Sequence, residues 1–355
     1  MKKIAVVLIN LGGPDQLSAV RPFLFNLFND KAIISLPQPF RWILARWVSF
    51  KRNKIAQDIY SQIGGQSPIL AFTKHQQQSL QQILNHKNFN GCDIKIFTAM
   101  RYWHPLIAQV YDDVANWNAD EVILLPLYPQ FSTTTTGSAF AEWKRLLNLK
   151  PHPFLTRYIC CYPGHDDWVK GQLELIKPYL SQALALGSVR LLFSAHGLPQ
   201  KIIDQGDPYV SQINFGAERI ATAVIEQYDR KADLSWAVCY QSKVGPLQWT
   251  KPSLEEEIKR ASLDQVAVVI VPISFVSEHS ETLYELDIEY SELARINKII
   301  GFFRVPTLSV NQFFISCLSK LVENSIHSDA LITNGTLNND CEYCLASCWL
   351  HSDVK

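Results

Sequence analysis

"VAVVIVPISFVSEHSETLYELDIEY" (266–290) decides the fold. Its opening run, VAVVIVPI (266–273), is apolar at every position, as a parallel strand covered by helices on both faces must be. The stretch that follows, SEHSETLYELDIEY (277–290), carries five carboxylates and one histidine. A buried strand running straight into polar side chains describes a strand's carboxyl end in an α/β sheet, the place where such sheets bind ligands.

Seven more runs read the same way: KIAVVLIN (3–10), DIKIFTAM (93–100), EVILLPLY (121–128), FLTRYICC (154–161), VRLLFSAH (189–196), LSWAVCY (234–240) and KIIGFFRV (298–305). Longer helical patterns separate them, which predicts a doubly wound α/β protein with parallel sheets. The strand ends also repeat. LINLGGP (8–14) echoes LFSAHGLP (192–199), FTAMRYWHPL (97–106) echoes AVCYQSKVGPL (237–247), and LLPLYPQFST (124–133) echoes IVPISFVSEHS (270–280). The order is the same in each set, so two similar α/β halves are expected, meeting near 165–185. We divide the chain into an N-terminal half (1–170) with an insert at 31–52, a C-terminal half (171–325) whose last helix returns to the first, and a tail (326–355) outside the α/β rhythm. Facing halves would gather Arg101, Tyr102, Ser132, His196, Gln241, Lys243, His279 and Glu281 around one central cleft.

Composition narrows the function. The 355 residues are 47% hydrophobic, with 33 Lys+Arg against 33 Asp+Glu. A balanced charge argues against a general nucleic-acid binder, which needs a basic excess. No apolar run reaches the roughly 18–20 residues of a bilayer span. MKKIAVVLINLGGPD (1–15) reads as a first strand entering a glycine turn rather than a signal peptide. Eight cysteines without an export signal imply a reducing cytoplasm, where thiols serve as ligands or core fillers.

His196 closes an apolar strand, so it is either a turn-bonded imidazole or a metal ligand or base. If 281–290 is helical, Glu281, Glu285 and Glu289 lie along one face at four-residue spacing. A solvated helix face explains such a stripe in general. Its start beside His279, just past a buried strand, points to an acidic channel for cations or protons. LGGP lacks the spacing of a dinucleotide fingerprint. In the insert, Phe40, Ile43, Leu44, Trp47 and Val48 fall on one helical face flanked by Arg41, Arg46, Lys51 and Arg52. That pattern fits a packed surface helix or a membrane-interface segment.

LINLGGPD, IGGQSPI, MRYWHP, YPQFSTTTTGS, FSAHGLP, GDPY, CYQSKVGPLQW and PISFVSEHSETLYELDIEY occur in the order of the ferrochelatases, and the chain resembles that family from about residue 4 to 325. The resemblance implies two Rossmann-like halves forming the chelatase cleft, and insertion of ferrous iron into protoporphyrin IX to make haem. It implies that His196 and Glu281 are the pair associated with iron and catalysis, and that His279, Glu285 and Glu289 form a proton or metal path. It assigns Leu11, Arg101, Tyr102, Ser132 and Lys243 to the porphyrin pocket, with Leu11 standing where animal relatives have methionine. The insert becomes the lip over that pocket. Residues 36–50 are then expected to rest reversibly on the inner face of a membrane, and the apolar lip favours protoporphyrin over coproporphyrin. A homodimer is a further partner, and no nucleic acid is expected.

The tail CEYCLASC (341–348) places Cys341, Cys344 and Cys348 within eight residues. Several ferrochelatases carry a [2Fe–2S] cluster on a similar tail, which makes that cluster the first expectation, with Cys160 or Cys161 as the fourth thiolate. Thr133 occupies the position where animal enzymes supply that cysteine. A structural zinc, completed by His351, is the alternative. The competing functions are a chelatase for another metal or for coproporphyrin, and a haem- or iron-binding protein without catalysis. A pure binder needs no proton acceptor such as His196.

Overall fold

The structure is a computed structural model and describes residues 1–87, 89, 91–228 and 233–335. The chain forms two compact units. One comprises Met1–Cys161 and is rejoined by the chain from Ile315; the other is Tyr162–Phe314.

In the first unit, β1 (Lys3–Asn10), β2 (Asp93–Met100), β3 (Glu121–Pro126) and β4 (Leu155–Ile159) lie parallel in the order β2-β1-β3-β4. In the second, β5 (Val189–His196), β6 (Leu234–Gln241), β7 (Ala267–Pro272) and β8 (Phe302–Arg304) repeat it as β6-β5-β7-β8. The first strand of each half sits second in its sheet and turns to its third, the pairing that creates a switch point beside the strand's carboxyl end. The echoed sequence segments are the matching strand ends of the two sheets. Ile4–Ile9 and Ala267–Val271 are wholly buried, which is why these strands read as unbroken apolar runs.

Differences from the sequence reading have local causes. The break at Cys161/Tyr162 precedes the expected 165–185 junction, because α6 (Asp166–Leu184) packs on β5, β7 and β8 and takes its leading loop with it. The last helix, α11 (Gln312–His327), straddles the second break, with Ile315 onward in the first unit. The tail does not lie wholly outside the α/β rhythm: Ile332–Thr333 form β9, a fifth parallel strand beside β4. Two residues are too few to show a period. Backbone bonds from Tyr158 N to Leu331 O and from Cys160 N to Thr333 O, both 2.8 Å, define it. Arg157 secures the approach by donating to Ser328 O and Ala330 O at 2.7 and 2.9 Å.

The insert continues into a longer helix, α2 (Phe40–Gln62), which packs on α1 (Val20–Phe28). Its apolar stripe divides. Leu44 and Val48 are half-buried, whereas Phe40, Ile43 and Trp47 face outward with Trp42 and Phe50. At the end of β1, Gly12 adopts φ +84°, which a side chain disfavours, and a Cβ on Gly13 would lie 2.5 Å from the Ser67 side chain. The LGGP turn is therefore a close-packed corner.

Candidate active site

His196 is the last residue of β5 and pairs in register with Gln241 at the end of β6. Beyond β7 the chain enters a π-helix, Glu281–Tyr290. Its hydrogen bonds run to the fifth residue, a form found in short pieces and frequently at functional sites. The sequence leads one to expect an ordinary helix with three glutamates on one face. Instead Glu281 and Glu285 turn inward and Glu289 is exposed.

His196 Nδ1 and Glu281 Oε2 are 2.7 Å apart. The bond orients the ring and leaves Nε2 without a hydrogen bond among the described residues. A carboxylate on one ring nitrogen commonly fixes the tautomer that presents the other to a metal or a proton. His279, buried against Phe275 with ring centroids 4.7 Å apart, brings Nε2 to 3.9 Å from Glu281 Oε1. Gln241 Nε2 donates to the Glu281 carbonyl at 2.8 Å and to Glu285 Oε2 at 3.1 Å, while its own Oε1 accepts from Ser194 at 2.7 Å.

Ser242 was not foreseen. Its hydroxyl donates to Glu285 Oε2 at 2.6 Å and lies 3.3 Å from Glu281 Oε2, bridging the two carboxylates. It holds φ +64°, a left-handed conformation that costs a non-glycine residue energy and concentrates at functional sites. Nothing in its residue type signals that conformation.

The charges are divided unequally. Burial works against the Glu281 carboxylate, but the His196 imidazole, its hydrogen bond and His279 hold Glu281 well below the usual carboxylate range. Burial and the neighbouring Glu281 charge push Glu285 up to about 7. Burial would lower His196, yet Glu281 and Glu285 outweigh it and raise His196 above 6.5. Burial dominates at His279 and lowers it. The competition at His196 that sequence leaves open is thus decided by its carboxylates. Two carboxylates pushed apart in this way divide the roles: one stays charged while the other can carry a proton near neutrality.

The expected porphyrin residues are placed differently within each unit. Arg101 follows β2, pairs with Asp30 at 2.8 Å, donates to Ser138 Oγ at 2.8 Å and lies over the Tyr102 ring. Tyr102 is 1% exposed and donates its hydroxyl to Asp30 at 2.8 Å, so its ring belongs to the core. Ser132 is equally enclosed, 2.8 Å from the Thr134 hydroxyl. Leu11 is half-buried and packs beside Tyr102 against α1 and α2. Lys243 is exposed and forms no ion pair or hydrogen bond among the described residues. Asp30 is the residue that sequence missed here, since no periodicity marks a lone carboxylate. A cavity of about 230 Å³ beside Arg101 and Asp30 is too small for a macrocycle, as drug-sized ligands already need roughly 300 Å³ or more.

Comparison with known proteins identifies the family. The family model described as Ferrochelatase matches residues 3–326. The chain is 49% identical over 324 residues to a ferrochelatase of Wolbachia sp. subsp. Drosophila simulans (strain wRi), covering 91% of this chain and 99% of the relative. It is 45% identical over 350 residues to a ferrochelatase of Rickettsia bellii (strain OSU 85-389), covering 98% and 95%. Among solved structures, SirB from Bacillus subtilis with Fe3+ shares the fold at a TM-score of 0.52 and 14% identity, with 92% of this chain and 96% of that one covered. The chain belongs to the ferrochelatase family, the lyases of haem synthesis that insert iron into protoporphyrin.

Proposed function

We propose that His196 and Glu281 form the centre at which ferrous iron enters the ring. The observation that carries this reading is the 2.7 Å bond on His196 Nδ1, which leaves Nε2 open. Two pyrrole protons must leave as Fe²⁺ enters. His196 accepts a proton at Nε2, and charged Glu281 stabilises the resulting imidazolium. Glu285 can take up and release a proton near neutrality. With His279 it leads from the half-buried pair towards exposed Glu289, the path proposed for protons or metal. The porphyrin contacts proposed are Leu11, Arg101, Tyr102 and Ser132 in the first unit and Lys243 in the second. Mixing the protein with Fe²⁺ and either protoporphyrin IX or coproporphyrin without oxygen tests the substrate. Fluorescence should fall with protoporphyrin, and faster loss with coproporphyrin would reassign it.

The lip is the proposed membrane contact, which supports a peripheral place on the cytoplasmic face. No helix of the described residues is long and apolar enough to cross a membrane. Trp47 is 58% exposed and Ile43 56%, with Phe40, Trp42 and Phe50 beside them and the cations Arg46 and Lys51 flanking. Such a face attaches reversibly to an interface. Changing Ile43 and Trp47 to Asp should abolish co-flotation with liposomes; unchanged flotation, or none before the change, would make the lip a pocket wall only. A homodimer belongs to the same reading.

For the tail we propose a [2Fe–2S] cluster. Cys341, Cys344 and Cys348 lie outside the described residues, and among those described no group of three metal-binding side chains occurs. Cys160 and Cys161 are both buried just past β4, and Gly335 N donates to Cys161 O at 2.8 Å. Cys341 lies six positions after Gly335, a reach of up to about 20 Å. That reach supports Cys160 or Cys161 as the fourth ligand, only one of which can face the cluster. Bound there, a cluster would supply one-electron redox chemistry. Protein purified without oxygen should be reddish-brown, and Cys344→Ser colourless. A colourless wild type holding one zinc and no inorganic sulfide would replace the cluster with zinc.

A further inference from the structure

We propose that Arg304 is a positioning residue for metal insertion, acting by fixing the register of the π-helix. It ends β8, opposite Ile270 of β7, and its side chain is 14% exposed. Its Nε donates to Asp287 Oδ1 at 2.7 Å, Nη2 pairs with Asp287 Oδ2, and Nη1 donates to Glu278 Oε1 at 2.7 Å. Glu278 is itself buried, and the same oxygen accepts from Thr307 N at 2.9 Å. One guanidinium thus grips a carboxylate just before the π-helix and another at its seventh residue. His279, Glu281 and Glu285 all lie between the two grips.

Ten residues of π-helix are far from what a sequence with ordinary helical residues adopts unaided. Relaxation to i+4 bonding would rotate each residue after Glu281 relative to it, carrying Glu285 away from Ser242 and Gln241. A planar fork cannot follow such a rotation, because its donors match a carboxylate in one plane only. Arg304 bonds to neither His196 nor Glu281, so its influence on the reaction runs through the helix. This inference rests on the reading of His196 and Glu281 as the insertion centre.

The test compares Arg304→Gln, Arg304→Lys and Asp287→Asn with the wild type, using Fe²⁺ and protoporphyrin IX. Misplacement by about 1 Å can cost roughly 100-fold, so kcat for Arg304→Gln should fall about 10–100-fold. KM for protoporphyrin should stay within about twofold, the pattern of an interaction expressed in the transition state. Lysine keeps the charge without the fork and should restore part of the loss. Amide exchange should rise across 281–290 in Arg304→Gln and Asp287→Asn, while the amides of β1 keep their protection. If Arg304→Gln does not fold, Asp287→Asn carries the same test from the more exposed grip. Unchanged kcat, or lowered kcat with unchanged exchange over 281–290, overturns the positioning role. A fully active His196→Ala protein would instead overturn the reading of the centre, leaving the exchange result to speak for the clamp alone.

Discussion

Asp30→Ala should lower the stability of the protein by about 3–5 kcal/mol, the range for removing one partner of a buried ion pair. The Asp30 side chain is 6% exposed and receives Arg101 and Tyr102 at 2.8 Å each, together with Ser138 Oγ. Its other oxygen accepts from Ala32 N at 2.9 Å, fastening the start of the insert. Alanine leaves an enclosed guanidinium and two hydroxyls without their acceptor. Burial, the largest cause of the raised Tyr102 phenol, persists in the variant and opposes compensation by ionising. For a unit of this size the loss corresponds to a Tm lower by about 10 °C, readable by calorimetry. Asp30→Asn keeps one acceptor oxygen and should fall between. A Tm within about 2 °C of wild type for the alanine variant would show that Arg101 and Tyr102 find other partners and that this network is dispensable.

How much of this was legible in sequence follows from which interactions are periodic. β1, β3, β5 and β7 declare themselves because strands buried on both faces must be apolar throughout, and the two-half architecture follows from the repeated order of the strand ends. β9 does not, because Ile332–Thr333 are held by backbone bonds and by Arg157, neither of which patterns the sequence. His196 was legible as a polar group at a strand end, where the fold concentrates chemistry, and Glu281 and Glu285 as an acidic stripe following a buried strand. The form of the helix carrying the glutamates was not. Apolar spacing reports which face is buried, whereas the choice between i+4 and i+5 bonding here goes with a clamp from Arg304, 17 residues beyond Asp287. Ser242 was hidden for the reason that any left-handed non-glycine residue is: its conformation is imposed by partners, not preferred. Leu44 and Val48 were assigned correctly to an apolar stripe, but a stripe alone does not say which edge packs on α1 and which is left outside.

The claim that His196 is the proton acceptor at the insertion centre is tested most directly by the anaerobic turnover of His196→Ala with Fe²⁺ and protoporphyrin IX. Loss of general acid–base catalysis alone is typically worth ~10²–10⁴-fold, and kcat should fall at least that far. The side chain is 37% exposed, so the fold should survive, and protoporphyrin should still quench the protein's tryptophan fluorescence at the wild-type concentration. The pH dependence provides an internal check. Glu281 and Glu285 raise His196 above 6.5, and only the neutral ring can accept a proton. Wild-type kcat should therefore climb with pH as His196 loses its proton, and that limb should vanish in the variant. A folded His196→Ala protein with near-wild-type kcat and the same rising limb would contradict the account.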